Sequence, residues 1–206
     1  PHVDIFDRET VFVREVLVEL RRRHPTLRMI IEHITTADSV NFVREEGHQN
    51  LAATITPHHL LNNRNHMLVG GIKPHFYCLP ILKTEPDRKE LLQAATSGDS
   101  RFFLGTDSAP HAQSAKETAC GCAGCFTSYA ALELYATAFE SVDKLDKLAN
   151  FASRFGADYY GLPYNDGEVV LRRHSWELPD LLPVGDTIIR PYHTGSGKVD
   201  WKFSAA

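Results

Sequence analysis

The chain has 206 residues, enough for one large domain or two small ones. Its 43% hydrophobic and 23% charged residues exclude a collagen, a disulfide-dense miniprotein and a disordered tail. With 22 basic and 26 acidic residues the net charge is −4, so no basic excess exists to neutralise phosphates and no nucleic-acid partner is expected.

Histidine stands out, at 11 copies. It is the commonest metal ligand and the side chain best suited to proton transfer near neutral pH. No apolar run approaches the roughly 20 residues that cross a bilayer, so no membrane partner is expected. Four cysteines occur, at 78, 120, 122 and 125. Three of them crowd into six residues, a poor layout for a disulfide framework, and a reducing, cytoplasmic setting is the expectation. The chain opens Pro1-His2-Val3-Asp4, with no initiator Met and no signal peptide, as if entered within a longer protein.

In chain order, Asp7 is placed to cap a helix over 7–23, where Val13, Val16, Leu17 and Leu20 recur at helical spacing and Pro25 follows. Residues 27–31 read as a buried strand leading to Glu32-His33. A short helix over 37–46 is closed by Gly47. Residues 51–56 form a second strand, stopped by Pro57. A long irregular stretch, 57–84, carries Gly70-Gly71 and three prolines. Residues 86–96 predict a helix with Pro86 in its first turn. Residues 101–104 form a third strand ending Gly105-Thr106-Asp107. After a loop at 108–126 come helices over 127–140 and 143–154. The tail from Gly161 is punctuated by Pro and Gly, with short extended pieces at 168–172, 186–190 and 198–203.

Strand alternating with helix is the βαβ pattern of a parallel sheet. Three such strands make neither a closed barrel nor a full open sheet, and a (β/α)₈ TIM barrel takes about 250 residues. The expected fold is therefore α/β. The chain would supply the last three strand–helix units and a tail of one barrel domain, with the N-terminal part absent from this sequence.

Metal-competent residues fall where strands end: His33 after the first, His58-His59 after the second and Asp107 after the third. In a barrel those ends build the active face. A lone histidine there is ordinarily just hydrogen-bonded, and a lone Asp ordinarily caps the next helix. A His and an Asp aimed from different strands at one mouth suit a divalent metal such as zinc, with the carboxylate moving a proton beside it. His111 follows Asp107 by four residues and could face the same pocket and pair with an anion. The run Cys120-Gly121-Cys122-Ala123-Gly124-Cys125 admits two readings. One is a zinc site on Cys122 and Cys125, short of ligands because the remaining cysteine, Cys78, is distant in sequence. The other is a tight loop whose glycines bring backbone amides close to a substrate.

Several strings carry a resemblance. They are Asp4-Ile5-Phe6-Asp7-Arg8-Glu9, Glu32-His33-Ile34-Thr35-Thr36, Asn63-Arg64-Asn65-His66-Met67-Leu68-Val69-Gly70-Gly71 and Tyr77-Cys78-Leu79-Pro80-Ile81-Leu82-Lys83. Two more are Phe103-Leu104-Gly105-Thr106-Asp107-Ser108-Ala109-Pro110-His111 and the cysteine run ending at Phe126. In unbroken order, across most of residues 4–165, the chain resembles the short bacterial-type (class II) dihydroorotases of pyrimidine synthesis; the tail matches loosely.

That resemblance implies an amidohydrolase barrel with two zinc ions, a bridging carbamylated lysine and further histidine ligands upstream of Pro1. It implies that His33 and Asp107 are metal ligands and that Asp107 is also the catalytic base and acid. His111 would meet the substrate carboxylate beside the backbone of Ala123, and Leu79 would offer its backbone to the pyrimidine ring. The implied reaction is the reversible cyclisation of N-carbamoyl-L-aspartate to L-dihydroorotate. The implied partners are that small-molecule substrate, the N-terminal part of the same enzyme and a second copy in a homodimer. Residues 1–206 alone would be inactive. Two alternatives are another cyclic-amide hydrolase of dihydropyrimidinase or hydantoinase type, and a non-catalytic interaction module holding zinc on the 120–125 thiols.

Overall fold

A computed structural model describes residues 2–46, 50–193 and 197–205. The N-terminal helical rod is α1 (Arg8–Phe12), a π-helical turn (Val13–Leu17) and α2 (Val18–Arg23). It covers the predicted helix, but Asp7 starts it in helical backbone without a side-chain cap bond. Glu9 matters more. Its carboxylate accepts from the backbone N–H of Thr35 (2.7 Å) and Thr36 (3.0 Å) and from the hydroxyls of Thr35, Thr36 and Ser39. The rod is thereby tied to the segment just after His33.

Strand β1 (Met29–Ile31) and helix α3 (Ala37–Glu46) follow; Gly47, assigned to close that helix, lies outside the described residues. Then come β2 (Leu51–Ile55), the short helices α4 (Pro57–Leu61) and α5 (Arg64–Leu68), a 3-10 turn (Pro74–Phe76) and α6 (Glu85–Ala95). Thr84 and Asp87 form a reciprocal capping box at the start of α6. Next are β3 (Phe102–Leu104), α7 (Gln113–Lys116), a 3-10 turn (Ser128–Ala130) and α8 (Ala131–Glu140). A second helical rod ends in α9 (Phe155–Tyr160), running six residues past its predicted end at 154. The stretch taken as irregular, 57–84, thus holds two helices and a 3-10 turn. Asn63 and Thr56 cap those helices with side-chain acceptors, a local signal that the prolines and glycines obscured.

Strands β1, β2 and β3 form one parallel sheet in that order, with Ile31 beside Ala53 and Ile55 beside Leu104. Parallel strands buried on both faces read as near-continuous apolar runs, and β2 does but for Thr54, with Leu51, Ala52, Ala53 and Ile55 fully enclosed. Tyr135 of α8, itself buried, donates its hydroxyl to Ile55 O at 2.7 Å and holds the helix against the end of β2.

Among the described residues the sheet has three strands and no closed barrel. The far side of β1 opens on an apolar cleft of about 940 Å³ whose walls include Phe12, Leu17, Leu20, Ile30 and Ile81.

The tail adds two antiparallel pairs: β4 (Val169–Glu177) with β7 (Lys198–Ala205), and β5 (Leu182–Val184) with β6 (Thr187–Ile189). The first packs on α8, where Trp201 Nε1 donates to Glu140 at 3.0 Å and Phe203 N to Glu133 at 3.0 Å. The second reaches the loop after β3 through a bridge between Ala112 and Ile189.

Candidate active site

Because the three strands run parallel, the residues that follow them emerge at one end of the sheet. His33 and Asp107 leave β1 and β3 in left-handed backbone, at φ 46° and 43°. Non-glycine residues adopt that conformation at a cost of about 1–3 kcal/mol, and it concentrates at functional sites. Both line one cavity of about 240 Å³, with Glu32, Thr54 and Gly105 between them and Tyr160 at its side. Thr54 Oγ1 accepts from His33 N at 2.7 Å, which sets where the imidazole leaves the strand. Gly105 is needed because a Cβ there would stand 2.5 Å from Thr54 Cβ. The Nδ1 atom of His33 is buried and has no hydrogen-bond partner in the protein. An imidazole with an unpartnered nitrogen, on a residue that lines a cavity shared with a carboxylate, has the donor chemistry that a divalent cation takes.

His111, Ala123 and Leu79 form a second group. The N–H at His111 Nε2 donates to Ala123 O at 3.1 Å, joining the loop after β3 to the cysteine loop. Gly124, at φ 150°, lets these segments touch: a Cβ there would stand 2.6 Å from Ala109 Cβ and 3.0 Å from the His111 ring. Gly124 N donates to Tyr77 O at 2.9 Å, bringing in the strand-like segment that carries Leu79, whose side chain is 49% exposed. Ser108 Oγ accepts from Thr127 N and Ser128 N and pins the same loop from the other side.

The cysteines arrange themselves differently from their spacing. Cys125 bonds not within its own loop but to His75 O at 3.6 Å, 50 positions earlier in the chain, while Cys78 donates to Pro80 O at 3.3 Å, and both thiols are buried. Cys120 is exposed and Cys122 half-buried. Among the described residues the only set of three metal-competent side chains whose ligand atoms converge is His58, His59 and Cys78, within 4.8 Å. The two histidines stand among the metal-competent residues at strand ends, whereas no local signal announces Cys78, since only the fold brings it there. In this set His59 is already engaged, with Nδ1 2.6 Å from the Thr56 hydroxyl and Nε2 2.9 Å from Pro80 O. His58 is fully enclosed with neither ring nitrogen hydrogen-bonded, and burial depresses its pKa. Tyr192 of the tail closes this region, its hydroxyl taking a bond from Asn62 while burial pushes its pKa well up.

No protein-family model matches the chain. It is 56% identical over 203 residues to the dihydroorotase of Stutzerimonas stutzeri, covering 98% of this chain and 58% of that protein. To the dihydroorotase of Pseudomonas syringae pv. tomato it is 60% identical over 193 residues, covering 94% and 55%. Its fold superposes on dihydroorotase from Saccharomyces cerevisiae in complex with 5-fluoroorotic acid with a TM-score of 0.90 at 28% identity, over 98% of this chain and 58% of that one. A D-hydantoinase from Thermus sp. matches at TM-score 0.70 and 15% identity, over 90% and 44%, a likeness of fold alone. The chain thus spans just under three fifths of the length of the curated relatives it matches. The parallel sheet and its helices are those of an amidohydrolase of the (β/α)₈ TIM-barrel type.

Proposed function

From the footing that this chain is, over nearly all its length, a homologue of the bacterial dihydroorotases, we propose that it carries the last three strand–helix units and the tail of a single dihydroorotase barrel domain. Its further strands lie outside residues 1–206. The activity is the reversible ring closure of N-carbamoyl-L-aspartate to L-dihydroorotate, a step of pyrimidine biosynthesis. The observation that carries the reading is the convergence of His33 and Asp107, from different strands, on one cavity.

His33, through its unpartnered Nδ1, and Asp107, through its carboxylate, are the residues here that would hold metal; two zinc ions, with a carbamylated lysine and histidines from outside the chain, complete the set. Bound metal would supply a polarised ring carbonyl and a water acidic enough to act near neutral pH. Asp107 takes a proton on its carboxylate in the hydrolytic direction and returns it to the leaving ring nitrogen; the reverse closes the ring. His111 pairs with the substrate carboxylate. With Nε2–H held by Ala123 O, His111 offers Nδ1 to that anion, and a proton there makes the contact charge-assisted. The ring lies along the backbone of Leu79. A cytoplasmic homodimer is the setting we assign, in keeping with reduced cysteines.

Substrate competition tests this. The full-length polypeptide should turn over L-dihydroorotate and leave 5,6-dihydrouracil and hydantoin, which lack the carboxylate, essentially untouched. Comparable turnover of the uncharged rings would move the assignment to a dihydropyrimidinase or hydantoinase.

A further inference from the structure

Lys116 ends helix α7 five residues after His111, and its side chain is almost fully buried, with 3% of its surface exposed. Its ammonium group lies 2.8 Å from each of three backbone carbonyls, Tyr77 O, Cys122 O and Gly124 O. An ammonium has three N–H donors, and all three are engaged here. No donor remains for a substrate, so the lysine cannot act as an anion ligand or Lewis-type polariser in this geometry. What it does is mechanical. Cys122 O and Gly124 O flank Ala123 on both sides, and Tyr77 stands two residues before Leu79.

We infer that Lys116 is the positioning residue of the substrate shelf: its ammonium crosslinks the Leu79 segment, the cysteine loop at Ala123 and the His111 loop into one rigid unit. The inference rests on the substrate roles proposed above for Leu79, His111 and Ala123.

Three features support it. The other ties join these segments two at a time: Gly124 N to Tyr77 O at 2.9 Å, Ala109 N to Cys125 O at 3.0 Å, His111 to Ala123 O, Thr127 N and Ser128 N to Ser108 Oγ, Cys125 to His75 O and His75 to Glu117, whereas the Lys116 ammonium holds all three at one point. The backbone at Cys122 is left-handed, at φ 29°, so the carbonyl that Lys116 holds belongs to a residue that would relax if released. The ammonium is enclosed at a desolvation cost that only full hydrogen bonding offsets. The turns of the run 120–125 direct the Cys122 and Gly124 carbonyls inward to a cation.

The test uses the full-length polypeptide with Lys116→Met, Lys116→Arg and Gly124→Ala, read by steady-state kinetics on L-dihydroorotate and by amide hydrogen exchange of residues 120–126. Lys116→Met should raise KM at least tenfold while kcat stays within about threefold, and should speed exchange across 120–126 at least tenfold. Lys116→Arg, which keeps the charge and several donors, should recover part of both. Should Lys116→Met fail to fold, Gly124→Ala decides the matter, because its methyl group pushes against Ala109 and His111 with the lysine intact and should give the same rise in KM. Unchanged KM with unchanged exchange, or a loss confined to kcat, overturns the inference. A wild-type protein that does not turn over dihydroorotate overturns the functional reading instead, and hydrogen exchange in Lys116→Met still decides whether the lysine holds the loops.

Discussion

His33 and Asp107 leave the two outer strands of the parallel sheet in the same left-handed backbone conformation and meet across Thr54 in one small cavity. Two residues of different chemistry, 74 positions apart, adopt the same costly geometry just after the two outer strands, two residues past β1 and three past β3. Two ligands aimed at one centre, the roles proposed above, would account for it.

Asp107→Asn keeps the shape and removes the base. In the full-length enzyme it should lower kcat for dihydroorotate at least about a hundredfold, the ordinary contribution of a general base. Near-wild-type hydrolysis by that variant would remove Asp107 from the chemistry.

His33→Ala should lower bound zinc by about one equivalent per chain, measured by elemental analysis after dialysis, since a missing ligand weakens a site that forms only in the folded state. Metal content that ignores His33 and instead follows substitutions of Cys122 and Cys125 would favour the thiol-based interaction module.

His111→Ala should chiefly weaken substrate binding. A charge-assisted hydrogen bond to a carboxylate contributes about 1.5–3 kcal/mol, a rise in KM of roughly ten- to a hundredfold. Metal content should stay constant. Collapse of kcat at constant KM would make His111 a proton carrier.

His58 gives a pH signature. Burial holds its folded pKa below the ordinary histidine value, so the unfolded chain binds one more proton as pH falls through about 6.5. Its contribution is present above that pH and is lost below it, at up to about 1.4 kcal/mol per pH unit. Urea unfolding of the full-length protein at pH 7.5 and 5.5 should therefore show a smaller acid-side loss for His58→Gln than for wild type. Identical pH dependence in the two would mean that His58 is not held neutral.

The alternation of apolar runs and helical periodicity determined the three parallel strands and most of the helices to within a few residues, because burial on both faces of β2 leaves an apolar string, broken only by Thr54, that a linear reading detects. The motif strings around His33, Asp107 and His111 were equally legible, and so was their placement at strand ends. Other features were decided only in three dimensions. Asp7 was chosen as the cap of the first rod, yet Glu9 makes the structural contacts, because its partners Thr35, Thr36 and Ser39 arrive from the far side of β1. The gathering of His58 and His59 beside Cys78, and the bond from Cys125 to His75 O, had no sequence signal, since these contacts join residues 19 to 50 positions apart. No motif or spacing in the sequence singles out Lys116. It is buried because three carbonyls, from segments near 77 and 123, converge where its side chain ends, and convergence of backbone from separate loops is a property of the fold rather than of any window of residues.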